Sequence, residues 1–182
     1  MLPFLFAFSK IINSINEWIG RKVAWLTTVL VVLVCIDVAV RYIFSDTAAW
    51  IMELEWHLFS LIFLLGAAYS LKHDRHVRVD LFYTKFSKEN KTLTNLVGTL
   101  VFLIPWCLFI LYYSFQYGLE SLHLREGSPD PGGLPARYLI KFAVPAGIFL
   151  LLLQGLATVA DSILLLVELR KEQSPPTGDD RS

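Results

Sequence analysis

The stretch WIMELEWHLFSLIFLLGAAYSL, residues 50–71, joins a long apolar segment to a cluster of ionisable side chains at one end. As a helix it would cover about 33 Å, enough for the roughly 30 Å of hydrocarbon in a bilayer. Glu53, Glu55 and His57 lie in its first turns. Ionisable groups in a membrane span are costly and need partners. The stretch therefore predicts a transmembrane helix with a polar contact near one membrane surface.

The whole chain is apolar: 55% of its 182 residues are hydrophobic and its mean hydropathy is +0.54. Soluble domains rarely carry this much apolar content. The net charge of zero provides no field to attract nucleic acid, and we expect no nucleic-acid partner. We predict an all-α integral membrane protein whose four transmembrane helices cover about residues 23–44, 50–71, 93–117 and 134–168.

The N-terminal segment has a different pattern. Ile11, Ile15 and Trp18 recur at helical spacing, and Asn13 and Glu17 fall on the opposite face. This predicts an amphipathic helix that lies in the membrane interface before the first span. Packing of the same helix on a partner is the alternative. The predicted organisation is an interfacial helix at 1–22, a four-helix transmembrane domain at 23–168, and a polar, proline-rich, disordered tail at 169–182.

The distribution of positive charge predicts the orientation of the chain. Twelve of the sixteen Lys and Arg residues fall in the N-terminal segment, the loop between the second and third spans, and the tail. Positive residues concentrate on the cytoplasmic side of membrane proteins. We therefore predict a multi-pass protein of the bacterial inner membrane with both termini in the cytoplasm. The basic loop KHDRHVRVD, residues 72–80, predicts contact with phospholipids.

Two pairs of ionisable residues flank the short loop between the first two spans. Asp37 and Arg41 are four residues apart, as are Glu53 and His57, so each pair shares a helix face. Antiparallel helices joined by a short loop would bring Arg41 near Glu53. The pattern favours a structural polar joint between the helices. A proton or ion relay is the alternative, but no second acidic residue lies deep in the third or fourth span.

The loop LREGSPDPGGLPARY, residues 124–138, is rich in proline and glycine. These residues predict a defined, irregular path rather than a helix. Glu126 and Asp130 make the loop acidic, and its length exceeds the need of a simple connection. We predict that these two residues contribute to a docking surface for a soluble partner. A plain connector is the alternative.

No pattern in the sequence predicts catalysis, a metal site or a cofactor site. A nucleophile–base pair, a phosphate-binding glycine loop and a zinc motif are all missing from the sequence. Two histidines ligate haem in many small membrane anchors of redox enzymes, but only His57 lies in a predicted span here. Transport by this chain alone is also disfavoured, because transporter sites usually form between internal repeats and the sequence has none.

An ordered set of short motifs in this chain resembles the small membrane (Q-type) subunit of tripartite ATP-independent periplasmic (TRAP) transporters. RYIF ends the first span, Trp50 precedes Glu53, and LLGAAYSL, which contains Gly66, ends the second span. HVRVDLFY, with His76 and Asp80, begins the next loop. Together the motifs cover about residues 37–83. Met52 departs from the family pattern, which often has an acidic residue there.

The resemblance implies partners and a role. In this family a large permease subunit carries the substrate and sodium sites, and a periplasmic binding protein captures the substrate. The small subunit is then a scaffold that supports the large one during sodium-coupled import. The segment SPDPGGLPARYLIKFAVP resembles a subgroup associated with organic acids, including 2-oxo acids. A membrane anchor of a redox enzyme complex is the alternative function.

Overall fold

The computed structural model describes residues 2–45, 48–73 and 86–173 and forms a helical bundle. The helices are α1 (Leu2–Phe44), α2 (Ala49–Lys72), α3 (Lys88–Gly98), a π-helical turn (Thr99–Leu103), α4 (Ile104–His123) and α5 (Tyr138–Gln173). The π-helical turn joins α3 to α4 without a loop, so the bundle has four helices that are long and apolar enough to cross a membrane. The prediction of four such helices is confirmed.

The first helix differs from its prediction in length and in the face that it buries. α1 has 43 residues and runs without a break across the predicted boundary between residues 22 and 23. Ser9, Asn16 and Gly20 are buried, whereas Ile11 and Trp18 are 59% and 65% exposed. The face that packs into the bundle therefore combines these polar and small residues with Ile12 and Val23, while Ile11 and Trp18 point outward. An interfacial helix separate from the first span is not formed.

The helix that contains α3 and α4 changes its hydrogen-bond pattern just before a proline. Pro105 has no N–H to donate, and the π-helical turn directly precedes it. This turn packs on α5, because a Cβ added to Gly155 would lie 3.0 Å from Cδ2 of Leu103. Pro145, by contrast, lies inside α5 without interrupting the helix.

The central helix of the bundle is α5, which packs against α1, α2, α3 and α4. Several of its buried residues are small, among them Ala143, Gly147, Ala157 and Ala160. Small residues let helix backbones approach closely in a membrane. Many large apolar side chains on the outer surface of the bundle are exposed, which suits contact with lipid or with another membrane subunit.

Parts of the predicted tail and of the basic loop lie outside the described residues. α5 continues to Gln173, five residues beyond the predicted end of the last span, and residues 174–182 of the predicted tail lie outside the described part. Residues 74–85 of the basic loop also lie outside it. The family-motif residues His76 and Asp80 therefore have no described position.

The bundle has an outer end and an inner end, named for the predicted orientation. The outer end contains the end of α1, the start of α2 and the outer loop, residues 124–137, between α4 and α5. The inner end contains the start of α1, the end of α2, the start of α3 and the end of α5.

Candidate functional site

The outer loop is attached to α2 through a single carboxylate. Glu53 is 6% exposed and accepts hydrogen bonds from the hydroxyl of Ser128 and from the backbone N–H of Leu134, the latter at 2.5 Å. Both donors belong to the outer loop. A carboxylate that receives two hydrogen bonds from one loop holds that loop more firmly than a neutral acceptor would. Glu53 is therefore the anchor of the outer loop.

The outer loop also has internal hydrogen bonds that fix its shape. The N–H of Ser128 donates to the carbonyl of Leu134 at 3.1 Å, and the N–H of Gly133 donates to the carbonyl of Asp130 at 3.0 Å. Gly132 has a φ of 78°, a conformation that glycine adopts without strain. The loop has the defined, irregular path that its composition predicts.

The two acidic residues of the predicted docking surface have different environments. Glu126 forms an ion pair with Lys141 of α5 and accepts a hydrogen bond of 2.7 Å from Ser121 of α4. These two contacts, first that with the Lys141 ammonium, lower the pKa of the Glu126 carboxyl below its usual value. Asp130 is exposed, and its carboxylate forms no ion pair with any described residue. Of the two, only Asp130 presents its charge to the outside.

The predicted polar joint consists of local contacts within each helix. Arg41 forms an ion pair of 2.5 Å with Asp37, which is 3% exposed, and His57 contacts the backbone carbonyl of Glu53. Within the described residues no ion pair joins Arg41 to Glu53, because the Glu53 carboxylate is directed to the outer loop. The predicted proximity of the two helix ends nevertheless holds, since Arg41 and Glu53 line one cavity.

This cavity at the outer end has a volume of about 680 Å³ and mixed charge. Arg41 and Arg137 line it together with Glu53, Glu55 and Asp130. The Arg137 guanidinium lies over the Trp56 ring, 5.6 Å from its centroid. Oε1 of Glu55 is buried without a hydrogen-bond partner among the described residues. The outer end thus offers charged and aromatic groups to a protein surface.

A second polar network lies at the inner end, where the sequence analysis predicted no site. Asn16 and Gln154 are each 2% exposed, and Nδ2 of Asn16 donates to Oε1 of Gln154 at 2.7 Å. Gln154 donates in turn to Asn13 at 2.9 Å. Asp161 accepts hydrogen bonds from Ser9 and Asn13. The sequence does contain an indication of this network, because the polar residues Gln154 and Asp161 are seven residues apart and therefore share a helix face.

An ion-pair cluster closes the inner end between α1 and α2. Glu17 contacts Lys72 at 2.6 Å, His73 at 2.9 Å and Arg21 at 2.9 Å. Close to this cluster, Gly20 of α1 packs on the ring of Tyr69 in α2, since an added Cβ would lie 2.2 Å from Cδ2 of that ring. The Glu17 ion pairs and the Gly20–Tyr69 contact hold α1 and α2 together at the inner end. At the outer end, Glu53 holds the outer loop.

The described family-motif residues, Trp50 and Gly66, do not form a separate site. Trp50 is 46% exposed at the start of α2, and a Cβ added to Gly66 would meet nothing within 4 Å. Among the described residues, no group of three or more His, Cys, Asp or Glu is placed to hold a metal ion. The arrangement of the described residues is therefore suited to helix packing and to recognition of a partner protein at the surface.

A comparison with protein-family models identifies the class to which this architecture belongs. The model described as "Tripartite ATP-independent periplasmic transporters, DctQ component" matches residues 30–165. The chain belongs to this family, as its motifs predict. Membership makes it a multi-pass membrane component of a transporter and implies a complex with a large permease and a binding protein. A search of curated proteins gives no match.

Proposed function

We propose that this chain is the scaffold subunit of a sodium-coupled TRAP importer of organic acids, including 2-oxo acids. It supports the large permease subunit in the membrane and is not itself the route of the substrate. The family match over residues 30–165 carries the proposal. The packing of α5 against α1, α2, α3 and α4 supports a scaffold role. Neither the family match nor the described residues favour the alternative of a redox-enzyme anchor.

The location of the polar groups is a second support for a scaffold. The mixed-charge cavity and the inner polar network lie at opposite ends of the bundle. A transport pathway needs polar groups near the middle of the membrane, where secondary transporters bind their substrates. The cavity between α4 and α5, which Phe115, Phe142 and Phe149 line, is mainly apolar, and the Tyr112 hydroxyl is the one polar side-chain group among its lining residues.

The chain alone is expected not to transport. Liposomes that contain only this chain, with a sodium gradient and a labelled organic acid such as a 2-oxo acid, should show the same uptake as protein-free liposomes. Liposomes that also contain the large permease, supplied with the binding protein, are the positive control. Sodium-dependent uptake by the chain alone would contradict the scaffold proposal.

We further propose that the outer loop is part of the docking surface for the binding protein, with Asp130 as its exposed charge. This places the outer end in the periplasm of a bacterial inner membrane and both chain ends in the cytoplasm. The excess of Lys and Arg at the inner end supports the orientation. Labelling of an Asp130→Cys variant only from the cytoplasmic side would contradict it.

Asp130→Lys is expected to slow transport roughly threefold or more when the binding protein is limiting, because reversal of an exposed charge acts mainly on the encounter rate. Transport in proteoliposomes, measured over a series of binding-protein concentrations, is the readout. The defect should shrink with added salt, since exposed charges are screened beyond about 8 Å at physiological ionic strength.

Glu168→Lys is the matched control for this test. It makes the same charge reversal at an exposed position near the inner end of α5, away from the outer loop. It should transport like the unmodified complex. Equal rates for Asp130→Lys and the unmodified complex at every binding-protein concentration would remove Asp130 from the docking surface.

A further inference from the structure

The inner end contains a polar cavity of about 520 Å³ that the proposed function does not use. Side chains from α1, α2, α3 and α5 line it, with Asn13, Lys72, Thr99, Gln154 and Asp161 among them. Asn13, Lys72, Gln154 and Asp161 already hydrogen-bond within the bundle, but each keeps a donor or acceptor that acyl chains cannot satisfy, and an unsatisfied polar group in an apolar medium is costly. The cavity therefore suits a polar ligand.

The position of the cavity along the helices matches the depth of lipid headgroups. Lys72 lies 23 residues after the start of α2, and Asp161 lies 23 residues after the start of α5. At 1.5 Å per residue both are about 34 Å from the outer end of their helices. The hydrocarbon core is about 30 Å thick, so both side chains lie at the headgroup level of the opposite leaflet.

The two charged residues that line the cavity differ in how their charges are compensated. Two described acceptors, the Glu17 carboxylate and the Asn13 carbonyl, take hydrogen bonds from the Lys72 ammonium, which has three donors. The Asp161 carboxylate accepts only from the neutral donors Ser9 and Asn13, and no described cation pairs with it. A carboxylate at the membrane surface without a counter-charge favours a cationic ligand group.

We propose that this cavity binds the headgroup of a zwitterionic, amine-bearing phospholipid of the phosphatidylethanolamine type. The ammonium of the lipid lies against Asp161. The phosphate receives the remaining N–H of Lys72 and the hydroxyl of Thr99. Leu71 and Leu165, which also line the cavity, contact the first carbons of the acyl chains.

An anionic headgroup fits this cavity less well. The described charged residues that line it are one cation and one anion, Lys72 and Asp161, so the cavity carries no net positive charge. Sites for anionic lipids are typically clusters of basic residues. Phosphatidylglycerol carries the same phosphate but a neutral glycerol in place of the ammonium, so it would leave Asp161 without a counter-charge.

Native mass spectrometry of the purified membrane complex tests the proposal. The complex is delipidated and titrated with phosphatidylethanolamine or phosphatidylglycerol, and the retained lipid is counted. Retention of phosphatidylethanolamine should exceed that of phosphatidylglycerol. Asp161→Asn should lower retention of phosphatidylethanolamine about fivefold, the size of a charge pair at a wet interface, and remove the preference.

Glu168→Gln is the matched control, because it neutralises a carboxylate on the same helix that does not line this cavity. Its lipid retention should equal that of the unmodified complex. Thr99→Val, a second variant, should lower retention of both lipids while preserving the charges. Soluble phosphoethanolamine at the same concentration should not displace the lipid, because it lacks the acyl chains.

Several outcomes would overturn the proposal: equal retention of the two lipids by the unmodified complex, equal behaviour of Asp161→Asn and Glu168→Gln, unchanged retention in Thr99→Val, or displacement by soluble phosphoethanolamine. If Asp161→Asn fails to assemble, Thr99→Val decides the matter. The readout is lipid retention, so it is independent of the transport assays that test the scaffold and docking proposals.

Discussion

Gly147→Ala is expected to separate α2 from α5 and to destabilise the bundle. A Cβ at this position would lie 2.7 Å from the carbonyl oxygen of Leu64 and 2.9 Å from its carbonyl carbon. These are backbone atoms of a helix, so a change of side-chain rotamer cannot relieve the contact. Overpacking of this kind costs typically about 1–3 kcal/mol. Thermal unfolding of the purified chain in one detergent measures the effect.

Gly66→Ala is the matched control for this prediction. It makes the same change in α2, at a position where an added Cβ would meet nothing within 4 Å. Alanine is the better helix former by about 1 kcal/mol, so this variant should unfold at the same temperature or higher. If both variants unfold alike, the close approach of α2 and α5 at Gly147 is not as described.

The helices could be predicted from the sequence because hydropathy and length alone define a membrane span. The face of α1 that packs into the bundle could not be predicted in this way. Asn16 lies at the edge of the apolar face in the sequence pattern, a position that is equally compatible with exposure to water and with burial against a polar partner. Gln154, a partner 138 residues away, decides between them. A pattern within one helix carries no information on such a partner.

The contacts at the outer end could also be predicted only in part from the sequence. The spacing of four residues groups Asp37 with Arg41, and the two form an ion pair. The short loop predicts that Arg41 lies near Glu53, and both residues line one cavity. The Glu53 carboxylate, however, binds a backbone N–H of Leu134. Every non-proline residue has such a donor, so residue type gives no signal for it.

Glu53→Ala is expected to release the outer loop from α2. The substitution removes the acceptor for the Ser128 hydroxyl and for the Leu134 N–H at a site where Glu53 is almost fully buried. Donors left unsatisfied in a buried site are costly, so the loop should open to water instead. Hydrogen exchange at residues 124–137 should accelerate, and transport at limiting binding protein should fall because the docking loop has lost its fixed shape.

The size of the effect should follow the number of hydrogen bonds removed. Ser128→Ala deletes one donor and should cost about 1 kcal/mol, less than Glu53→Ala, while Glu53→Gln retains one acceptor oxygen and should lie between them. Glu55→Ala is the matched control: the same residue type two positions away, whose buried Oε1 has no partner among the described residues. It should leave exchange in the outer loop unchanged. Equal acceleration in Glu55→Ala and Glu53→Ala, or none in either, would show that Glu53 does not anchor the loop.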